Sequence, residues 1–194
     1  MLHACRAISQ ERHYAERLVY IDNLLVGLML ELGQWEDVEL ILREAVELGD
    51  RGLAWVWSGV EPRCQLTTVC ARTGRMAEAQ RWLAEAHSIA GSQPGLWEQK
   101  FLALAGAHLA SVEQRWAEAI VHFQTATKAQ ARMGKLWDRA QTLRQLAEAH
   151  LSRGGPSDLR RARELLHEVQ TEVEALNVPK YVGLVYKRMA ALHT

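Results

Sequence analysis

The same letters return along this chain at a fixed interval of about forty residues. Val56-Trp57, Leu96-Trp97 and Leu136-Trp137 are spaced by 40 and 40, and Val38, Ala79 and Ala119 by 41 and 40. Leu42, Leu83 and Phe123 keep the same interval, as do Ala45, Ala86 and Ala126. Several registers that share one period leave few folds open. A unit of this size cannot bury its apolar face alone, so successive units must stack and shield one another.

The units are helical. Turn residues punctuate the chain at Gly33-Gln34, Gly49-Asp50, Gly74-Arg75, Gly91 to Gly95, Gly134 and Gly154-Gly155-Pro156. Between them, apolar residues recur at three- and four-residue spacing, which predicts helices over 12–32, 35–49, 53–73, 76–90, 95–112, 115–133, 136–153, 158–176 and 179–192. No comparable stretch alternates with period two, so no strand is expected. Only four prolines occur, against abundant Ala, Leu, Glu, Gln and Arg. Taken in pairs, the helices make one repeat domain over 1–194, with units at roughly 12–50, 53–91, 95–133 and 136–176 and a lone capping helix at 179–192. Projected backwards, the register puts Leu2 and Cys5 at second-helix positions of an earlier unit.

Each second helix opens with a short motif: GQWEDV at 33–38, GRMAEA at 74–79, QRWAEA at 114–119 and the stretched GGPSDLRRA at 154–162. A small or medium residue sits mid-way along each first helix, at Val26, Thr67, Ala107 and Ala147. The turn positions are Gly33, Gly74, Gln114 and Gly154, and Trp35, Met76 and Trp116 follow two residues later in the first three units. Val38, Ala79, Ala119 and Ala162, then Ala45, Ala86, Ala126 and Val169, mark two contact points on the second helices. Small side chains there let helix backbones approach closely, and a larger one would overpack. This pattern resembles the tetratricopeptide repeat. The unit is longer than that family's 34 residues, lacks an aromatic at Met76 and a glycine at Gln114, and carries an insertion of three in the fourth turn. Its length resembles the arrays in the sensor regions of maltose-activator-like transcription regulators and signal-transduction ATPases.

The resemblance implies an all-α, right-handed solenoid of about four helix-turn-helix repeats, with the first helices lining a concave face. Positions there differ from unit to unit while the packing sites do not. They include Tyr20, Asn23, Gly27, Cys64, Thr68, Arg72, Phe101, His108, Gln141, Arg144 and Glu148. Differing polar residues framed by fixed packing are what a recognition surface needs. The expected function is therefore non-catalytic binding of a protein or peptide, as the regulatory or scaffold part of a larger signalling or transcription-regulatory protein. The alternative from the same resemblance is a sensor that closes around a small-molecule effector.

Composition narrows the partners. Lys plus Arg is 23 and Asp plus Glu is 23, so no net charge draws the chain to nucleic acid or to an anionic membrane. The same balance weakens repulsion between copies, which favours self-association. The most apolar stretch, Leu18 to Leu32, holds Asp22, Asn23 and Glu31 and is too short and polar to span a bilayer, and MLHACRAISQER has no signal-peptide core. A soluble cytoplasmic protein is expected. Cys5, Cys64 and Cys70 have neither metal-like nor disulfide-like spacing and read as buried thiols in a reducing compartment. No His-x3-His, Cys-x2-Cys, GxSxG or phosphate-binding loop occurs, so no metal, cofactor or enzymatic role is expected, although His108 and His150 lie near enough in register to meet. Recurrence in every unit marks Trp57, Trp97 and Trp137 as packing residues, while the off-period Trp55 and Trp82 are expected to be exposed or to face a partner.

Overall fold

The computed structural model describes residues 26, 29–30, 33–52 and 59–176, among which every regular element is an α-helix. We number them α1 (Trp35–Asp50), α2 (Val60–Arg72), α3 (Met76–Ala90), α4 (Leu96–Val112), α5 (Trp116–Arg132), α6 (Leu136–Arg153) and α7 (Asp158–Ala175). The expected helix at 12–32, apart from residues 26, 29 and 30, the expected helix at 179–192, and residues Tyr20, Asn23, Gly27, Trp55 and Trp57 lie outside the described residues. The chain divides into two compact units, Met1–Pro94 and Gly95–Thr194, with the boundary between the second and third sequence repeats.

In unit 1, helices α1, α2 and α3 pack in chain order around Val38, Leu42, Val60, Leu66, Val69 and Ala79. In unit 2, α4 packs on α5, α5 on α6 and α6 on α7. Their shared core runs through Ala107, Ala119, Phe123, Leu143, Leu146, Ala147, Ala162, Leu165 and Val169, with Trp116 and Leu151 against its edge. The small-residue logic holds at the mid-helix sites, since Val26, Thr67, Ala107 and Ala147 are all 0% exposed. It holds on the second helices at Val38, Ala79, Ala119, Ala162, Ala86, Ala126 and Val169, whereas Ala45 is only half-buried. These methyl groups set how near neighbouring helices can come.

The turns show why the period is so regular. After each of four helices, a residue in left-handed conformation is followed by one with φ between about −90° and −80°, and the next helix starts at once. Gly33 (φ 71°), Gly74 (80°), Gln114 (59°) and Gly134 (67°) hold the left-handed position. The amides that follow reach back five residues, Gln34 to the Met29 carbonyl at 3.0 Å, Arg75 to Cys70 at 2.8 Å, Arg115 to Ala110 at 2.8 Å and Lys135 to Gln130 at 3.0 Å. These bonds satisfy carbonyls that a helix end leaves open. Three of the four positions are glycine, which takes this conformation without strain. Gln114 is the exception.

The fourth hairpin turns differently, because the insertion replaces that tight connection. Asp158, at the head of α7, is buried and gathers four donor bonds. They come from His150 Nδ1 at 2.6 Å, Arg153 Nε at 2.9 Å, Arg153 Nη2 at 2.5 Å and the Gly155 amide at 2.6 Å. The Arg153 guanidinium first, then His150, hold the Asp158 carboxyl well below the usual carboxylate range. His150 is thus engaged with Asp158, while the His108 ring stands edge-on to Phe123 at 5.6 Å.

Two tryptophan expectations need correction. Trp82 is buried at 8% exposure, between the guanidinium groups of Arg43 at 5.6 Å and Arg81 at 5.2 Å from its ring. Its sequence phase is off the forty-residue period, yet its helix phase points it inward, three residues after Ala79 and four before Ala86. Trp97 and Trp137 have the same phase but unlike surroundings. Trp97 is half-buried against Phe101, Lys100 and Lys135, whereas Trp137 is 37% exposed. Forty residues after those three partners stand Gln141, Ala140 and Ala175, which repeat neither the aromatic ring nor the two ammonium groups.

Candidate functional site

On each first-type helix the half-exposed positions fall three or four residues apart, so they form a stripe along one side. In unit 1 the stripe on α2 carries Gln65, Thr68 and Arg72, and Thr68 donates its hydroxyl to the Cys64 carbonyl at 3.3 Å. In unit 2 it runs along α4 through Trp97, Leu104 and His108, and along α6 through Trp137, Gln141, Arg144 and Glu148.

The candidates read from sequence separate by burial. Arg72 is exposed, and Thr68, His108, Gln141, Arg144 and Glu148 are half-buried, an exposure that leaves part of each side chain accessible. Cys64 at 2% and Phe101 at 8% exposure lie inside, where they pack. Burial, helped by the Glu61 charge, pushes the Cys64 thiol far up, and burial pushes Cys70 up to about 11. Both stay protonated near neutral pH and are poor nucleophiles.

Along α6, Arg144 Nη1 donates to Glu148 Oε1 at 2.8 Å, one helical turn apart. A partner reaching this helix meets a guanidinium already aimed by its carboxylate. At the other end of the stripe, Lys100 does the joining. Its side chain is buried, its Nζ lies 4.1 Å from the Trp97 ring centroid and 4.0 Å from that of Phe101, and it reaches Asp138 Oδ2 on α6 at 3.3 Å. The lysine side chain thus links the start of α4 to the start of α6 and sets its ammonium against two aromatic rings. Sequence reasoning missed this cluster. The available signal was a lysine in a phase whose counterpart, forty residues on, is Ala140.

Among the described residues, no group of three or more His, Cys, Asp or Glu side chains is placed to hold a metal ion. No described helix is long and apolar enough to cross a membrane.

No family model matches the sequence, and no curated protein matches it with significance. Solved structures do resemble it. A signal transduction ATPase with numerous domains from Pyrococcus horikoshii, which has a tetratricopeptide repeat sensor, superposes with a TM-score of 0.70 at 14% identity over 94% of this chain. The chain spans only 28% of that protein's length. BtubC from P. vanneervenii gives a TM-score of 0.62 at 16% identity, covering 99% of this chain and 78% of the other. The nearly identical TPR-like repeats of a kinesin light chain from Podosopora anserina give 0.52 at 17% identity, covering 92% and 95%. The fold is that of a tetratricopeptide-like helical repeat.

Proposed function

We propose that this tetratricopeptide-like repeat chain is a non-catalytic module that binds a protein or peptide through the stripes on its first-type helices. Thr68 and Arg72 serve in unit 1, and His108, Gln141, Arg144 and Glu148 in unit 2, with Phe101 and Cys64 holding the stripes in place from beneath. The observation that carries this reading is the division of each helix. Methyl-sized contacts are sealed at 0% exposure at Ala107 and Ala147, while half-exposed polar groups one position on, His108 and Glu148, differ from unit to unit. A repeat fold of this kind generally mediates protein interaction. The module is read as a single repeat domain within a larger cytoplasmic signalling or transcription-regulatory protein.

The test is selection of random displayed peptides on the full chain, followed by fluorescence anisotropy. Arg144→Ala and Gln141→Ala should each weaken a selected peptide about fivefold or more, the scale of a 1 kcal/mol interface contact, with the melting temperature unchanged. A chain that selects no peptide, or peptides indifferent to both changes, refutes the reading.

One observation favours a second reading. The structure with the TM-score of 0.70 contains a repeat described as a sensor. If this chain senses a small molecule, a metabolite at a hundred times its Kd should raise stability by about 2.7 kcal/mol. A surface that binds only peptides gives no such rise with metabolites.

A further inference from the structure

The α5–α6 turn exposes apolar and basic side chains together. Leu136 is 46% and Trp137 37% exposed. Arg132 and Lys135 are exposed within the same six residues, and Lys128 is exposed one turn earlier on α5. Lys135 Nζ lies 5.9 Å from the Trp97 ring centroid, so a second, half-buried indole adjoins the patch. The nearby Asp138 is bound by Lys100 at 3.3 Å, and no carboxylate among the described residues pairs with Lys128, Arg132 or Lys135. Two large apolar side chains set among cations that no described carboxylate neutralises are costly to leave in water and specific in what they accept.

The complementary pattern stands on α1. Leu40 is 69% exposed, the most exposed large apolar side chain among the described residues. Glu36, Asp37, Glu44 and Glu47 lie four and three residues before it and four and seven after, which places them around it on one helix side. The helix as a whole carries six carboxylates and one guanidinium. Glu36, Asp37 and Glu47 have no basic partner among the described residues. The C-terminal residues 177–194, which also have apolar positions at helical spacing, hold Lys180, Lys187 and Arg188 and no carboxylate. They share the sign of the α5–α6 patch and do not complement it.

We propose that the α5–α6 turn is a docking surface for α1 of a second copy of this chain, with Leu40 seated against Leu136 and Trp137 and the α1 carboxylates facing Arg132, Lys135 and Lys128. The two faces differ, so the contact is head-to-tail and can repeat from copy to copy. A net charge of zero leaves no overall repulsion to oppose it.

Sedimentation velocity on the full chain, across a concentration series, tests this. The mean mass should rise with concentration in about 50 mM salt and fall back toward the monomer in about 500 mM, because screening shortens the reach of these charges. Arg132→Glu with Lys135→Glu should abolish the rise, and so should Glu36→Lys with Asp37→Lys. Mixing the two double variants should restore it, since each then offers the face that the other needs. That recovery cannot come from unfolded protein. A chain that stays monomeric throughout, as it would if residues 177–194 or another protein normally cover the patch, overturns the proposal. So does association that survives either charge reversal, or a mixture that fails to recover.

Discussion

Gln114 is the one described residue other than glycine with a positive φ, 59°, at a turn position where its counterparts are Gly33, Gly74 and Gly134. A left-handed conformation costs an L-residue roughly 1–2 kcal/mol through the clash of Cβ with the neighbouring carbonyl. Replacing Gln114 with glycine removes that cost but adds unfolded-chain freedom worth about 0.4–1 kcal/mol. The expected net effect of Gln114→Gly is a stabilisation of about 0.5–1 kcal/mol. The Gln114 side chain is exposed and makes no hydrogen bond among the described residues, so nothing else should be lost. The reverse change isolates the backbone effect. A Cβ placed on Gly74 (φ 80°) would meet no atom within 4 Å, so Gly74→Gln should destabilise by a similar amount through conformation alone. Urea unfolding gives both values, with midpoints moving in opposite directions and slopes unchanged. In calorimetry each change should shift Tm by about 1–4 °C, on the scale of 2–4 °C per kcal/mol for chains of this size. A neutral or destabilising Gln114→Gly beside a destabilising Gly74→Gln would refute the strain argument.

Packing, pH and the buried ammonium give further expectations. Ala119→Leu, at a site with 0% exposure between α4 and α5, should cost about 1–3 kcal/mol in urea unfolding. A smaller loss would mean that the helices can separate there. Glu39 is held below its ordinary value of 4.5, chiefly by Arg75, and Glu78 is likewise lowered, chiefly by Arg43. Both carboxylates therefore bind protons less readily when folded, and their contribution is complete above about pH 4.5 and lost as pH falls below it. Glu39→Gln should flatten the acid limb of a Tm-against-pH curve, and an unchanged limb would place the acid sensitivity elsewhere. Lys100→Met should change stability by less than about 1 kcal/mol, because the Asp138 carboxylate it leaves behind is 38% exposed and regains water, whereas Asp138→Ala strands an ammonium on a side chain only 5% exposed and should cost more. Equal losses in thermal melts would show that the charge itself holds α4 to α6.

Much of the fold was legible because packing repeats. A contact between neighbouring units must be made again forty residues later, so Ala79 and Ala119 appear at matching phases and the predicted helices from 35–49 to 158–176 coincide with α1 to α7 within a residue or two, apart from the start of α2. What the letters could not give was the neighbourhood of each letter. Trp97 and Trp137 share a phase, but the surroundings of an indole depend on other positions, and Lys100, Phe101 and Lys135 have no equivalents one period later. Trp82 failed in the opposite sense, lying off the period and yet inside, because helical phase outranks repeat phase in deciding burial. The proposed recognition surface sits at the far end of that scale. Phe101 and Gln141 occupy one register, but Phe101 packs inward beneath a lysine and Gln141 remains half-exposed. A binding stripe is made of the positions where the repeat is broken, so periodicity points to where it runs and is silent about what each residue there does. Only the breaks themselves, such as Lys100 opposite Ala140, carry that information, and each needs its neighbours in three dimensions to be read.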